Sequence, residues 1–127
     1  MQKNTKILYI FGHLVSLISV IVFLAMTIVS KTNQVNIESV PQEFLNQNPG
    51  TTLDQYKEYL GLAFIIFLIL TCYFFLMLTL AFIETTNKEP RNRTLYMILV
   101  GCFSMNILYI IGGLTEYKKK ENRNFNQ

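Results

Sequence analysis

Three long stretches without a charged side chain dominate the pattern of polar and apolar residues. They run over residues 7–30, 59–83 and 94–115 and contain 24, 25 and 22 residues. A helix needs about 20 consecutive apolar residues to cross the hydrocarbon core of a bilayer. A soluble domain of 127 residues cannot cover three helices that are apolar on all sides. The pattern therefore predicts an all-α integral membrane protein with three transmembrane helices.

The segment 31–58, between the first two predicted spans, is polar and has helical signals in its second half. "PQEFLNQN" is a short amphipathic piece that "NPG" ends. Thr52 and Gln55 have the spacing of a capping box, and Asp54 complements the helix dipole. We therefore expect a helix that begins near Leu53 and continues without a break into the second span. Four side chains of this segment are expected to pack together on the membrane surface: Phe44, Leu45, Leu53 and Tyr56.

Basic residues at the ends of the spans indicate an orientation. Lys3 and Lys6 precede the first span, and the loop 84–93 after the second span is short and basic. Basic residues near span ends favour the cytoplasmic side, so the N-terminus is predicted inside and the loop 31–58 outside. Three spans then place the charged tail 116–127 outside, although its basic residues favour the inside. A dual topology or a frustrated third helix stays open as an alternative.

The first apolar stretch has two interpretations. It is longer than the roughly 7–15 residues of a signal-peptide core, and no small-x-small cleavage site closes it cleanly. We therefore favour an uncleaved signal anchor over a cleaved signal peptide.

Polar residues inside the spans are the next feature. Ser19, Thr71 and Asn106 each lie twelve residues from the cytoplasmic end of their predicted span, so they share one level within about a helical turn, or ~5 Å. An amide that faces lipid would leave its donors and acceptor without partners. We expect Asn106 to be satisfied by the hydroxyls at this depth, in hydrogen bonds of roughly 0.6 kcal/mol on average and up to ~2 kcal/mol. The functional alternative is that Asn106 lines a transport route or binds a ligand.

Small residues form faces on the first and third predicted spans. Gly12 and Ser16 are a small-xxx-small pair, and Ser19 continues their face. Gly101 and Ser104 lie together on the third span. Small faces allow two helix backbones to approach closely in lipid. We therefore expect the first and third spans to contact each other closely, and the bulky second span to cover them and face lipid or a partner.

Motifs for chemistry are absent from the sequence. It has no phosphate-binding glycine loop, no HExxH, no GxSxG and no metal spacing of its two cysteines, Cys72 and Cys102. His13 is the sole ionisable side chain other than cysteine or tyrosine within the spans. We expect it to hydrogen-bond locally or to contact lipid headgroups, rather than to bind a metal or shuttle protons. The net charge of +3 reflects basic residues at span ends, and no soluble basic domain is available for nucleic acid. The sequence predicts no enzyme, cofactor, metal or nucleic-acid partner.

The predicted first helix, followed by an outside loop that ends in a capped helix, and two further stretches resemble an uncharacterised family of small multi-span membrane proteins. This family comes from low-GC Gram-positive bacteria and is classified as a domain of unknown function. The loop "NKEPRNR" is similar to the basic, proline-containing loop of that family. The stretch "LYIIGGLTEYKKK" is similar to the family's closing helix and basic tail. The resemblance implies a bacterial cell membrane and no known activity.

The leading functional hypothesis is an accessory or regulatory subunit that acts by helix association. Its expected partners are the lipid bilayer and either other membrane-protein subunits or further copies of the chain. Two alternatives stay open. One is a holin-like pore former, and the other is a small transporter or an immunity-type membrane protein.

Overall fold

The computed structural model describes residues 3–86 and 93–125. All of the regular structure in these two ranges is helical. Five helices follow one another along the chain: α1 (Lys3–Asn36), α2 (Gln42–Gln47), α3 (Leu53–Thr86), α4 (Arg93–Phe103) and α5 (Ile107–Phe125). The all-α prediction is therefore confirmed for the described residues, but the helix count and the helix ends differ from those predicted.

Helices α1 and α3 are long and apolar enough to cross a membrane. Each has 34 residues, and the most apolar windows of 18 residues have mean hydropathies of 2.5 and 2.6. Only 22% of the window in α1 and 11% of the window in α3 is buried. A helix of 34 residues is about 51 Å long, which exceeds the roughly 30 Å of a hydrocarbon core. Both helices therefore extend beyond the predicted spans 7–30 and 59–83.

The third predicted span, 94–115, is not one helix. It breaks at Ser104–Met105–Asn106, so that α4 ends at Phe103 and α5 begins at Ile107. The two helices fold back on each other as an antiparallel hairpin, in which Gly101 faces Ile110 and Gly113 faces Ile98. The apolar stretch is long enough for a span, but its small residues also allow two shorter helices to pack closely. The prediction of one continuous helix over 94–115 is wrong, and the prediction of three spans is not confirmed.

The chain divides into two compact units. One contains residues 1–20 and 73–127 and is called the hairpin unit. The other contains residues 21–72 and is called the loop unit. Helices α1 and α3 each contribute one part to either unit.

The core of the hairpin unit lies where its helices meet. Its buried side chains come from α1, α3, α4 and α5, and include two tyrosines with at most 1% of their surface exposed. They are Tyr9, Ala81, Met97, Val100 and Tyr109.

The loop unit confirms the predicted start of α3. The amide of Thr52 donates to Oε1 of Gln55 (3.0 Å), and the amide of Gln55 donates to Oγ1 of Thr52 (3.3 Å). These are the two reciprocal bonds of a capping box. Helix α3 then runs from Leu53 to Thr86 without interruption. The short helix predicted after Pro41 is also present as α2.

Three aromatic side chains of the loop unit pack together where α2 meets the start of α3. The ring of Phe44 lies 4.9 Å from that of Tyr56 and 5.4 Å from that of Tyr59, measured between centroids. The expected contact of Phe44 with Tyr56 is present, and Tyr59 joins it. In contrast, the predicted loop begins too early, because α1 continues to Asn36. Gln34 of this extension donates from Nε2 to the carbonyl of Lys57 (3.1 Å).

Candidate functional site

The break between α4 and α5 is the first element of a buried polar site. The amide of Asn106 donates to the carbonyl of Gly101 (2.9 Å), and the amide of Met105 donates to that of Cys102 (3.4 Å). This pair of bonds is the Schellman motif that ends many helices, in which the residue directly after the helix cap has a left-handed conformation. Met105 occupies that position at a φ of 54°. Glycine is the usual residue there, so the sequence carries no glycine signal for this helix end.

Asn106 both caps α5 and joins it to α1. Its Oδ1 accepts from the amide of Leu108 (3.2 Å), which is an N-cap bond. Its Nδ2 donates to the carbonyl of Gly12 (2.7 Å) and to Oγ of Ser16 (2.8 Å). The residue is 3% exposed. Asn106 therefore lies in the middle of an apolar stretch because the helix breaks there, and its side-chain amide is fully hydrogen-bonded inside the protein.

Two tyrosines fit against two glycines across the α1–α5 contact. A Cβ on Gly12 would lie 2.5 Å from Cε1 of Tyr109, and a Cβ on Gly112 would lie 2.6 Å from Cε1 of Tyr9. Each helix thus supplies one glycine and one aromatic ring. The rings occupy the space that a side chain at either glycine would need. This explains the small face at Gly12, although its partner is a ring rather than another small face.

A buried ion pair closes the open end of the hairpin. Nε of Arg93, the first residue of α4, donates to Oε1 (2.9 Å) and Oε2 (3.2 Å) of Glu116 on α5, and the terminal guanidinium nitrogen also contacts Oε1. Tyr9 of α1 donates its hydroxyl to Oε2 of the same carboxylate (2.9 Å). Arg93 is 8% exposed and Glu116 7% exposed. Burial of both charges is tolerated because each has a hydrogen-bonded partner of opposite sign.

His13 connects three helices. Its Nδ1 lies 2.7 Å from the hydroxyl of Tyr109 on α5, and its Nε2 lies 2.8 Å from Oγ1 of Thr85 on α3. Oγ1 of Thr85 is also within bonding distance of the carbonyl of Ala81 (3.0 Å). A neutral imidazole has one donor and one acceptor nitrogen, so both nitrogens are satisfied here. The imidazole is therefore a bridge between helices in this structure.

The predicted polar layer does not form. Ser19 donates to the carbonyl of Val15 in its own helix (3.1 Å). Thr71 lies in the loop unit, where it donates to the carbonyl of Phe67 (2.7 Å) and lies 3.5 Å from Oγ1 of Thr27. Asn106 donates instead to Gly12 and Ser16, so the hydrogen bonds expected between Asn106 and the hydroxyls of Ser19 and Thr71 are absent from the described residues. The helix break explains this difference, because Asn106 caps α5 and its two donated bonds go to α1.

The structure brings together some of the predicted packing residues and separates others. Gly12, Ser16 and Asn106 meet at the α1–α5 contact. Gly101 lies inside the hairpin, where a Cβ would meet Cγ1 of Ile110 at 2.7 Å. Ser104 is buried at the end of α4 and donates to the carbonyl of Val100 (2.6 Å).

Five members of the site are not predicted from the sequence: Tyr9, Thr85, Arg93, Tyr109 and Glu116. Tyr9 and the two charged residues lie close to the ends of predicted spans, a position typical of the membrane–water interface. One signal is present in α1, where Tyr9, His13 and Ser16 recur at spacings of four and three and so share a helix face. No comparable signal pairs Arg93 with Glu116, since their contact requires the hairpin. The residues just described form the polar cluster: Tyr9, His13, Ser16, Thr85, Arg93, Asn106, Tyr109 and Glu116.

The polar cluster has few free groups for chemistry. Among the side chains that the structure describes in residues 3–86 and 93–125, Oγ1 of Thr94 is the only buried nitrogen or oxygen without a hydrogen-bond partner. The same ranges contain no group of three or more His, Cys, Asp or Glu side chains that could hold a metal ion. The cluster therefore has the composition of an internal network that fixes helices to one another.

A groove lies beside the polar cluster on the hairpin unit. It has a volume of about 480 Å³ and is almost wholly apolar. Helix α1 supplies one wall and α3 the other, and His13 is shared between the groove and the polar cluster. Its lining residues are Ile10, His13, Leu14, Leu17, Leu78, Thr79 and Phe82. This α1–α3 groove is within the roughly 300–1,000 Å³ typical of sites for small molecules.

No protein-family model, curated protein or solved structure matches this chain. The resemblance to a family of small bacterial membrane proteins therefore stays a prediction. One of its two motifs, "NKEPRNR", also falls mainly outside the described residues.

Proposed function

We propose that this chain is a non-catalytic integral membrane protein that acts by associating with other membrane-protein subunits. The observation that carries the proposal is the surface of α3. Only 11% of its most apolar window is buried, and that window has a mean hydropathy of 2.6. Many of its large apolar side chains are more than half exposed, among them Ile69 (62%) and Phe75 (59%). Such a helix is stable only where lipid or another protein covers it.

The polar cluster supports association rather than conduction. Polar groups that form a transport route in a membrane usually face a water-filled cavity. Here the amide of Asn106 and both nitrogens of His13 are bonded to other parts of the chain. The nearby groove is lined by apolar side chains. These features favour a rigid internal support for the apolar outer surface.

The proposed membrane topology has two spans, α1 and α3, and a hairpin that enters and leaves on one side. Tyr9 bonds Glu116, and His13 bonds Thr85. The start of α1, the end of α3 and the outer end of α5 therefore lie at the same end of the hairpin unit. Helix α4 has 11 residues, or about 16 Å, which is roughly half of a hydrocarbon core.

Charge distribution favours this topology over three spans. With three spans, five basic residues lie inside and six outside. When both ends of the chain lie on the cytoplasmic side, that side has nine of the eleven basic residues, because the segment joining α3 to α4 connects two ends on that side. The nine are Lys3, Lys6, Lys88, Arg91, Arg93, Lys118, Lys119, Lys120 and Arg123. The other side has only Lys31 and Lys57. An excess of this size is the pattern of cytoplasmic segments, so we replace the predicted outside location of the tail.

Cysteine accessibility tests the topology. Cys72 and Cys102 are first replaced by alanine, and single cysteines are introduced as Lys118→Cys, Asn4→Cys or Gln47→Cys. Intact cells are then treated with a membrane-impermeant maleimide. We expect labelling of Gln47→Cys only, and labelling of all three after the cells are opened. Labelling of Lys118→Cys together with Gln47→Cys in intact cells would contradict the proposal and support three spans.

Purification from native membranes in a mild detergent tests the association. We expect the chain to elute in a complex of defined composition that is larger than the chain with its detergent. A double variant of two exposed side chains of α3, Ile69→Ala with Phe75→Ala, is expected to weaken that complex. A matched double variant on α1, Ile18→Ala with Ile28→Ala, removes similar exposed side chains. Elution as a monomer from native membranes would overturn the proposal, and collapse of the membrane potential on overexpression would favour a pore former.

A further inference from the structure

The α1–α3 groove is apolar, and a lysine lies one helical turn before its first lining residue on α1. Its lining from α1 begins at Ile10 and continues through Leu14 to Leu17. Lys6 lies four residues before Ile10, so it lies on the same face of α1, one turn closer to the helix start. The side chain of Lys6 is exposed. In the topology proposed above, this cation lies near the cytoplasmic headgroups, about one helical turn beyond the end of the groove lining.

Among the described residues, no carboxylate competes for Lys6 on this face. The ion pair that these residues form joins Arg93 to Glu116 and leaves Lys6 out. Glu84 lies two residues after Phe82 on α3, about 200° around the helix axis, and therefore on the opposite face from this lining residue. Lysine extends its apolar stem along the protein and keeps its ammonium group at the membrane surface. The charge of Lys6 is thus available to an anionic group that enters from the membrane.

We propose that the α1–α3 groove binds one anionic phospholipid of the cytoplasmic leaflet. An acyl chain lies between α1 and α3 against Leu14, Leu17 and Leu78, and the phosphate is bound at Lys6. The chemistry of both ends selects this ligand: the walls exclude polar molecules, and the cation favours an anionic headgroup over a zwitterionic one. Anionic headgroups are concentrated on the cytoplasmic surface, where each nearby basic residue strengthens binding about fivefold. The proposal rests on the topology given above.

Native mass spectrometry of the full chain with added phosphatidylglycerol or phosphatidylcholine tests the site. We expect one phosphatidylglycerol to be retained about fivefold more than phosphatidylcholine. Lys6→Gln is expected to abolish this preference, because it removes the cation and keeps much of the length of the stem. Lys57→Gln, which makes the same change of charge outside the hairpin unit, is the matched control and is expected to keep the preference. Equal retention of the two lipids by the natural chain, or an equal loss in both variants, would overturn the proposal.

A second pair of variants tests the groove itself. Leu14→Phe adds volume to a lining position, and Ile18→Phe adds a similar volume at an exposed position of α1 that does not line the groove. We expect Leu14→Phe to reduce retention of both lipids severalfold and Ile18→Phe to leave it unchanged. If Leu14→Phe instead abolishes a dimer and leaves lipid retention intact, a second copy of the chain occupies the groove and the lipid proposal is wrong. The cysteine-accessibility result separates failure of this proposal from failure of the topology.

Discussion

The hairpin unit and the loop unit satisfy their polar side chains in different ways. In the hairpin unit, Asn106 bonds to residues 94 and 90 positions away, and Tyr9 bonds to one 107 positions away. In the apolar part of the loop unit, the hydroxyls of Thr27 and Thr71 donate to carbonyls four residues earlier in their own helices. A threonine bonded to its own helix needs no neighbour. An asparagine or a charge needs a partner, so these residues define which helices must meet.

The difference teaches where specificity is located in this chain. Apolar helices in lipid gain little from burying apolar surface, because lipid tails are also apolar. The long-range bonds and the close glycine contacts of the hairpin unit therefore determine its helix arrangement. Substitutions in the hairpin unit should cost more stability than chemically matched substitutions in the loop unit.

The largest expected effect comes from breaking the buried ion pair. Glu116→Gln leaves the guanidinium of Arg93 without its counter-charge and also weakens the bond from Tyr9. Removal of one partner of a buried pair typically costs about 3–5 kcal/mol. Unfolding of the purified protein in mixed micelles of mild detergent and dodecyl sulfate measures the change.

The matched control removes both charges at once. The double variant Arg93→Met with Glu116→Leu should be much more stable than Glu116→Gln, because no uncompensated charge remains. In the loop unit, Lys31 lies at the surface and donates to Gln34, so Lys31→Gln should change the free energy of unfolding by less than about 1 kcal/mol. A small effect of Glu116→Gln, comparable to that of Lys31→Gln, would contradict the buried pair.

A glycine in each unit offers the next comparison. A Cβ on Gly12 would lie 2.5 Å from the ring of Tyr109, which its bond to His13 holds in place. A Cβ on Gly61 would also meet an atom at 2.5 Å, but that atom is the terminal Nε2 of Gln34, which can move. We expect Gly12→Ala to destabilise the protein by about 1–3 kcal/mol. Gly61→Ala should be close to neutral, since the gain in helix propensity offsets the loss of the Gln34 bond.

The same unfolding measurement compares the two alanines. A second variant, Tyr109→Leu, removes the ring and should make Gly12→Ala less harmful, which tests the contact directly by non-additivity. Equal destabilisation by Gly12→Ala and Gly61→Ala would show that the close α1–α5 contact does not determine stability.

The sequence predicts local features of this fold well. Thr52 and Gln55 indicate the start of α3 because both partners of a capping box lie within four residues. The apolar stretches around α1 and α3 predict two helices long enough to cross a membrane. These signals depend on neighbours in the chain, so they require no knowledge of the tertiary structure.

The hairpin is not predictable in the same way. Residues 94–115 have the length and hydropathy of a span, and the left-handed residue that breaks them is Met105 rather than glycine. The sequence marks Asn106 as unusual, but it predicts a hydrogen-bond partner in a polar layer, whereas the residue caps α5 after a turn. Arg93 and Glu116 lie close together only because the chain reverses direction between α4 and α5, so their pairing cannot be predicted without the hairpin. The polar cluster is therefore predicted in part, through His13, Ser16 and Asn106, and its charged end is not.

Asn106 and Thr71 provide a comparison of smaller magnitude. Asn106→Ala removes two donated bonds to α1 and the cap of α5, and we expect a loss of about 1–2 kcal/mol. Thr71→Val removes a hydroxyl that donates to its own helix, and the expected loss is below about 0.6 kcal/mol. The ratio of the two losses, measured in the same micelles, tests whether long-range bonds matter more than local ones. Similar losses for both variants would remove the distinction between the units.

The smallest expected effects come from two residues with positive φ, one in each unit. Met105 has a φ of 54° and is 90% exposed, whereas Gly50 has a φ of 85° and no atom within 4 Å of the place that a Cβ would occupy. A left-handed conformation costs a residue with a Cβ about 1–2 kcal/mol. Replacement by glycine removes this cost, but the greater entropy of glycine in the unfolded state offsets part of the stabilisation. Met105→Gly should therefore stabilise the protein by about 0.5–1 kcal/mol, and Gly50→Ala should destabilise it by about 1 kcal/mol. Opposite signs in the unfolding free energy are the expected result. Destabilisation by Met105→Gly would mean that the methionine side chain itself holds the hairpin turn, for example by contact with lipid, and that the turn is not formed by backbone bonds and Asn106 alone.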